Sequence, residues 1–308
     1  MIAKMKRFCL LALACLLTAP ALACEGRLVE SPDIAGSAVC IPADIGRIVV
    51  LDPTFSLGMS LELGLPVVGA PLFGMSDRQL LAEAKARGVE DLGAFTEPSI
   101  EKVVALKPDL IIGSGMLGEQ VLAMASQIAP TALITAEDWK TYYRTLADVT
   151  GRRQAAEDAL AAYEARAAAL RARMPDVRVS VVRITPWDFQ VYLDGPKAYG
   201  PFSVMQEAGV KRSAYETGTG GETVKRPDWE GLAALDGDIL LYIVGGANNS
   251  DTSGRHEEVL ANPLWQMLPA VAAGKVHRVD AATWMEFSGI ASANRVLDDV
   301  ERYIAAQP

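Results

Sequence analysis

The chain has 308 residues, half of them hydrophobic, with 29 Lys and Arg against 38 Asp and Glu for a net charge of −9. An acidic surface of this kind has no electrostatic footprint for nucleic acid, which excludes that class of partner. The length exceeds what one compact core usually serves, so two packed lobes are expected.

Residues 1–23 read MIAKMKRFCLLALACLLTAPALA, with Lys4, Lys6 and Arg7 ahead of an apolar run and Ala21-Leu22-Ala23 at its end. This is the pattern of a secretory signal, too short to stay behind as a membrane span. Its removal takes three cations and no acids, leaving 26 Lys and Arg against 38 acids, a net of −12. Cys9 and Cys15 leave with it, and Cys24 and Cys40 remain. In an oxidising compartment such a pair reads as a disulfide, stabilising by about 3 kcal/mol for a loop this short. The alternative makes Cys24 a lipid-bearing first residue, since Ala-Leu-Ala-Cys is similar to a lipobox. Ala21 stands where such boxes usually carry Leu, and lipidation would leave Cys40 alone.

Further along, GRIVVLD (46–52) is an apolar run of the kind found in buried parallel strands. The helical stretch FSLGMSLELGL (55–65) follows, stopped by Gly64 and Pro66, then the strand VVGAP and a polar loop. Next comes TEPSIEKVVALKPDLIIGS (96–114), a short helix leading into a strand, then the helix GEQVLAMASQIA and the strand TALI (131–134). The second half restarts with strand RVSVVRI (178–184) and FSVMQEAGV (202–210), which echoes the first Phe-Ser helix. DWEGLAALDGDILLYIVGG (228–246) then repeats the acid, apolar turn, Asp and strand of 96–114. A helix over 255–272, a strand KVHRVD and a final helix over about 288–306 complete the chain.

Two units in the same order in both halves predict an α/β fold of two Rossmann-like lobes with mostly parallel sheets. Between them, Arg152 to Met174 lacks Gly and Pro and is rich in Ala, Leu, Glu and Arg, with Pro175 as its stop. A helix of that length is a rigid strut. The expected organisation is a signal at 1–23, a lobe at 24–145, a connecting helix at 146–175 and a lobe at 176–308.

Loops at the carboxyl ends of the strands of two facing lobes would line a cleft. They carry Phe55, Arg78, Arg183, Trp187, Tyr199, Arg226, Trp284 and Phe287. Arg supplies planar forked donors for carboxylate or metal-bound oxygens, and the aromatics supply flat apolar contact. Arg183 also suits an edge charge or structural ion pair, and Trp187 and Trp284 suit a core. No Gly-x-Ser-x-Gly elbow, Gly-Lys-Ser/Thr phosphate loop or His-Glu-x-x-His motif occurs. His256 and His277 are the two histidines, too few for an ordinary protein-built zinc site.

With TEPSIEKVVALKPDLIIGS, QIAPTALITAEDWK, LADVTGR, ANPLWQMLPAVAAGKVHRVD and VLDDVERYI quoted together, the chain resembles the periplasmic binding components of ferric-siderophore ABC importers. The branch includes the ferrichrome-binding protein, and the wider group holds haem- and cobalamin-binding relatives. The resemblance implies a shallow cleft, little closing motion and no catalysis. It further implies a periplasmic monomer that delivers a ferric siderophore to a dimeric inner-membrane permease with ATPase subunits. The siderophore would hold the iron, so neither cofactor nor protein metal ligand is expected. An acid on each lobe of such proteins engages permease arginines, and Glu101 and Glu230 fall at the matching positions. Each opens a predicted helix, where the dipole favours a carboxylate. The chain departs from the ferrichrome binder at Phe95, where an arginine is expected, at Leu117, where a tyrosine is expected, and in the 218–223 loop, which lacks a tryptophan. Arg78, Arg183 and Arg226 would suit an anionic carboxylate or catecholate chelate better than a neutral hydroxamate. The rival readings are a haem or cobalamin receptor, with Tyr199 as axial ligand for haem, and a secreted hydrolase on the same scaffold.

Overall fold

The computed structural model describes residues 24–218, 220–246 and 250–306, so the expected signal at 1–23 lies outside the described residues. Cys24 and Cys40 form a disulfide that closes the hairpin of β1 (Arg27–Glu30) and β2 (Ala38–Ile41).

The first lobe runs β3 (Ile48–Val50), α1 (Phe55–Glu62), β4 (Val67–Ala70), α2 (Arg78–Ala86) and β5 (Glu90–Asp91). The small hairpin β6 (Gly93–Ala94) and β7 (Glu97–Pro98) leads to α3 (Ile100–Ala105), β8 (Leu110–Ser114), α4 (Gly118–Ala125) and β9 (Thr131–Ile134). Five strands pair in the order β5-β4-β3-β8-β9, all parallel. The strands β3 and β8 are buried almost end to end, as strands covered on both faces must be.

Two helices link the lobes, α5 (Trp139–Thr150) and α6 (Arg153–Arg171). The expected 146–175 helix is shorter at its start, because Gly151 takes the left-handed φ of 71° and ends α5. Ala156, Leu160, Tyr163, Ala167 and Leu170 form the buried stripe of α6, spaced four and three apart. Nineteen residues make α6 about 28 Å long.

The second lobe runs β10 (Val179–Ile184), β11 (Phe189–Tyr192), α7 (Gly200–Glu207), β12 (Val224–Lys225) and β13 (Ile239–Val244). Then come α8 (Arg255–Ala261), α9 (Pro263–Gln266), α10 (Pro269–Ala272), β14 (Val276–Val279), α11 (Ala281–Met285) and α12 (Ile290–Val300), which continues as a π turn over Glu301–Ala305. The single helix expected over 255–272 is three short ones, because Pro263 and Pro269 each start a new helix and cannot continue the previous one. The sheet order is β12-β11-β10-β13-β14, with β10, β13 and β14 parallel and β11 and β12 antiparallel. This sheet is therefore mixed, because β10 turns straight back into β11 through a hairpin.

The repeated unit occupies the same place in both sheets: β8 lies between β3 and β9, and β13 between β10 and β14. The leading turns differ. Ser99 caps α3 through Lys102 N–H, whereas the second copy is a 3₁₀ turn over Gly231–Ala234, held by Asp228.

One hydrophobic cluster crosses both lobes, containing Ile48 and Leu110 from the first, Leu160 from α6, and Val181, Leu241 and Val296 from the second. Each lobe keeps a smaller cluster of its own. The seam carries polar ties as well. The Glu62 carboxylate on α1 accepts from Ile290 N–H (3.1 Å) and Ala291 N–H (2.7 Å) at the start of α12. Glu286 accepts from Ser76 and Asp77 N–H, and Arg295 donates to Asp77 at 2.6 Å. A Cβ on Gly58 would stand 2.3 Å from the Ser288 carbonyl oxygen, so only glycine lets α1 approach this segment. These contacts hold the lobes at one angle, and that angle defines the cleft on the other side.

Candidate functional site: a cleft between the lobes

In the first lobe the loop after β3 delivers Phe55, the loop after β8 delivers Met116, and the loop after β9 delivers Glu137 and Asp138. Opposite them stands the β11–α7 connection, Gly195 to Tyr199. Together they line two adjoining cavities of about 900 and 590 Å³ that share Phe55, Met116, Glu137 and Lys197. Another groove of about 590 Å³, beside Cys40 and Leu122, has no charged side chain among the described residues of its wall. A smaller groove of about 450 Å³ carries Arg27, Glu30, Asp148 and Arg153, but the interlobe cleft combines the greater volume with charged and aromatic side chains from both lobes, as expected of a ligand site.

Aromatic packing shapes that cleft. Phe55 lies 5.4 Å from Tyr142 and 6.3 Å from Phe287, and Tyr199 lies 6.5 Å from Phe287 between ring centres. Phe287 is thus a buried keystone behind two rings that face the cavities from opposite lobes. Below Phe55, the Asp52 carboxylate accepts from Thr54 and Ser56, and the Ser56 hydroxyl also meets the Tyr142 hydroxyl. Burial raises the Asp52 pKa against those hydrogen bonds.

The hydroxyl of Tyr199 donates to the Met285 carbonyl (3.0 Å) and accepts from Phe287 N–H (3.2 Å). Burial pushes its pKa up to about 12, with the Phe287 N–H working the other way. A hydroxyl engaged on both sides would have to give up both contacts to serve as an axial ligand, so this geometry does not favour a haem site. Among the described residues, no group of three or more His, Cys, Asp and Glu side chains is arranged to hold a metal.

The expected ligand contacts separate into distinct places. Phe55 and Tyr199 line the cavities. Trp284 and Phe287, at 0 % and 1 % exposed, are buried behind the walls of the two cavities and do not belong to them. The reason for Trp284 is that α11, capped by Asp280, tucks its apolar face inward. Its indole N–H donates to Asp299 at 2.8 Å and its ring meets Phe202 edge-on. Trp187 is 70 % exposed between β10 and β11, and the exposed Arg226 pairs with Asp188 of the same loop. Arg183, half-buried at the end of β10, donates to Gln190 and acts electrostatically on Tyr199. Arg78 begins α2 with its side chain exposed. None of these four belongs to the walls of the two cavities.

The cations in those walls are Lys140 and Lys197, which residue-type reasoning passed over. Lys140 lies between Glu164 (3.1 Å) and Glu207 (2.8 Å). Lys197 reaches across to Glu137 at 2.9 Å. The available signal for Lys197 was its place two residues before Tyr199, in a loop inspected only for its aromatic ring. Glu101 is exposed in the first turn of α3, and Glu230 is exposed just before the 3₁₀ turn over Gly231–Ala234.

Two α/β lobes, a packed and hydrogen-bonded seam and a cleft walled by loops of both lobes define a solute-binding protein. The chain matches the periplasmic binding protein family over residues 53–283 and belongs to it. It is 29% identical over 280 residues to a probable siderophore-binding lipoprotein of Bacillus subtilis, covering 87% of this chain and 85% of the relative. It is 26% identical over 275 residues to the Fe(3+) dicitrate-binding periplasmic protein of Escherichia coli, covering 85% and 86%. In fold it is similar to Staphylococcus aureus SirA complexed with staphyloferrin B, with a TM-score of 0.77 at 21% identity, covering 90% of this chain and 99% of that one. Among the described residues no helix is long and apolar enough to cross a membrane.

Proposed function

We propose that the protein is the periplasmic receptor of an ABC importer, capturing an iron(III)–siderophore between its lobes and delivering it to an inner-membrane permease. The observation that carries this reading is the interlobe cleft itself, with Phe55 in the wall of both cavities, Tyr199 of the opposite lobe in the wall of the smaller one, and Lys197 in their shared wall. Rings offer flat apolar contact to the chelate rim, and an ammonium offers charge to its oxygens. The iron is cargo, held by the chelator. The wall carries Glu137, Asp138 and Glu207 as well as Lys140 and Lys197, so support for an anionic chelate comes from the exposed Lys197 ammonium and from the similarity to a dicitrate-binding relative.

Residues 1–23 serve as the export signal in this reading, and the mature chain works as a monomer. The Cys24–Cys40 disulfide supports a soluble rather than lipid-anchored form, because a thiol in a disulfide cannot carry a lipid. Glu101 and Glu230 serve as one permease contact per lobe.

The test is titration of the mature protein with ferric dicitrate, a ferric tricatecholate and a neutral ferric trihydroxamate, followed by tryptophan fluorescence. Trp139 in the cavity wall supplies a reporter. Saturable quenching by an anionic ferric chelate, absent with the iron-free chelator, is expected. Absence of saturable binding by any of the three overturns the reading.

A further inference from the structure

Glu137 and Lys197 come from different lobes, and both belong to the walls of both cavities. Their ion pair therefore lies across the cleft as a bar between two chambers. The lysine side chain is 54 % exposed and the glutamate 74 %, so water screens the pair and little holds it closed. The neighbouring charges are committed elsewhere. Asp138 caps α5 by accepting from Thr141 N–H at 2.9 Å. Lys140 has two carboxylates and stands over the rings of Trp139 and Tyr163. Among the described residues lining the cavities, Lys197 is thus the cation held by one exposed acid.

We propose that Lys197 is the specificity-determining cation of the cleft: it leaves Glu137 for the carboxylate or catecholate oxygens of an arriving anionic ferric chelate, joining the two chambers. This rests on the siderophore reading above. A chelate of multiple negative charge outbids one solvated carboxylate, whereas a neutral chelate gains nothing from the exchange and leaves the bar in place. Glu137 acts as the counterweight, since it occupies the lysine and repels the anion. The two members of one ion pair accordingly have opposite effects on affinity, which a merely structural bridge does not produce.

The experiment compares wild type, Lys197→Gln, Lys197→Arg and Glu137→Gln by fluorescence titration with ferric dicitrate, a ferric tricatecholate and a neutral ferric trihydroxamate, with thermal melts to confirm folding. Lys197→Gln is expected to weaken the anionic chelates by about ten-fold, the loss of one charged hydrogen bond. Glu137→Gln tightens them by about three-fold as a repulsive charge is removed, Lys197→Arg restores most of the affinity, and trihydroxamate binding stays within about two-fold throughout. Equal weakening by Lys197→Gln and Glu137→Gln would show a strut between lobes and overturn this inference while leaving the receptor reading intact. So would an unchanged affinity in both, or a wild-type preference for the trihydroxamate. Failure of the wild type to bind any ferric chelate overturns the receptor reading and this inference together.

Discussion

At the back of the cleft the lobes join through groups less exposed than those at the front: half-buried Glu62 on the first turn of α12, half-buried Glu286 on the Ser76 and Asp77 amides, and Arg295 on the nearly buried Asp77. At the front, the exposed pair Glu137–Lys197 spans the gap. Breaking a buried pair leaves a desolvated charge unpaired, whereas breaking an exposed one returns both groups to water at little cost. The back therefore sets the angle between lobes, and the front remains adjustable. A receptor that must present a preformed cleft and still admit a bulky solute needs that asymmetry.

The largest effect expected lies in the core of the second lobe, beside that seam, with the loss of Trp284. The side chain is fully buried, packs on Phe202 and donates to Asp299. Truncation in Trp284→Ala removes that packing and leaves the carboxylate without its donor, at a cost of about 3–5 kcal/mol in urea unfolding. Had the indole been a shelf in the cleft, the same change would weaken chelate binding and leave the unfolding curve in place. The outcome thus separates a core residue from a ligand contact in one measurement.

Glu62 gives a smaller effect with a definite sign in pH. Burial raises its pKa to about 7 from an ordinary 4.5, opposed by the Ala291 and Ile290 amides. The folded state therefore holds a proton that the unfolded chain has released between these values. Its contribution to stability is complete below pH 4.5 and declines as pH rises through 7. In Glu62→Gln that decline disappears. Relative to wild type, the variant should gain stability between pH 4.5 and 7 by an amount on the order of 3 kcal/mol. Parallel stability curves for the two proteins would show that Glu62 stays ionised in the seam.

Much of this asymmetry was hidden from the sequence, although the scaffold was not. The runs IVV, LIIGS and ILLYIV are continuous and apolar because both faces of their strands are covered, so pattern alone located them. Repetition of the acid-to-strand unit marked β8 and β13 as equivalent, and the cysteine pair was readable from compartment chemistry. The reversal of β10 into β11 was not readable, because Trp187 and Asp188 fit a connection to a helix as well as a hairpin. Side-chain direction was invisible too. Residues following a strand can face the cleft or the core, and composition does not distinguish Trp284, turned inward by α11, from Tyr199, turned toward the cavity. Pro263 and Pro269 carried a signal that was legible but underweighted, since each marks a helix start.

The smallest effect on the fold belongs to Glu101 and Glu230, and there the comparison concerns the two lobes themselves. Glu101 lies in the first turn of an α-helix, near its positive end, while Glu230 precedes a single 3₁₀ turn with a weaker dipole. Both side chains are exposed, and among the described residues neither has a hydrogen-bond or ion-pair partner that would be lost. Reversal to Arg at either position should therefore change unfolding free energy by no more than about 0.5 kcal/mol, slightly more at Glu101 than at Glu230. Chelate affinity should be unchanged, because neither residue belongs to the cleft walls. If each acid is a permease contact, iron uptake falls in either single variant and is abolished in the double. Uptake that survives the double reversal, with binding intact, would mean that the duplicated acids reflect only the ancestry of the two lobes.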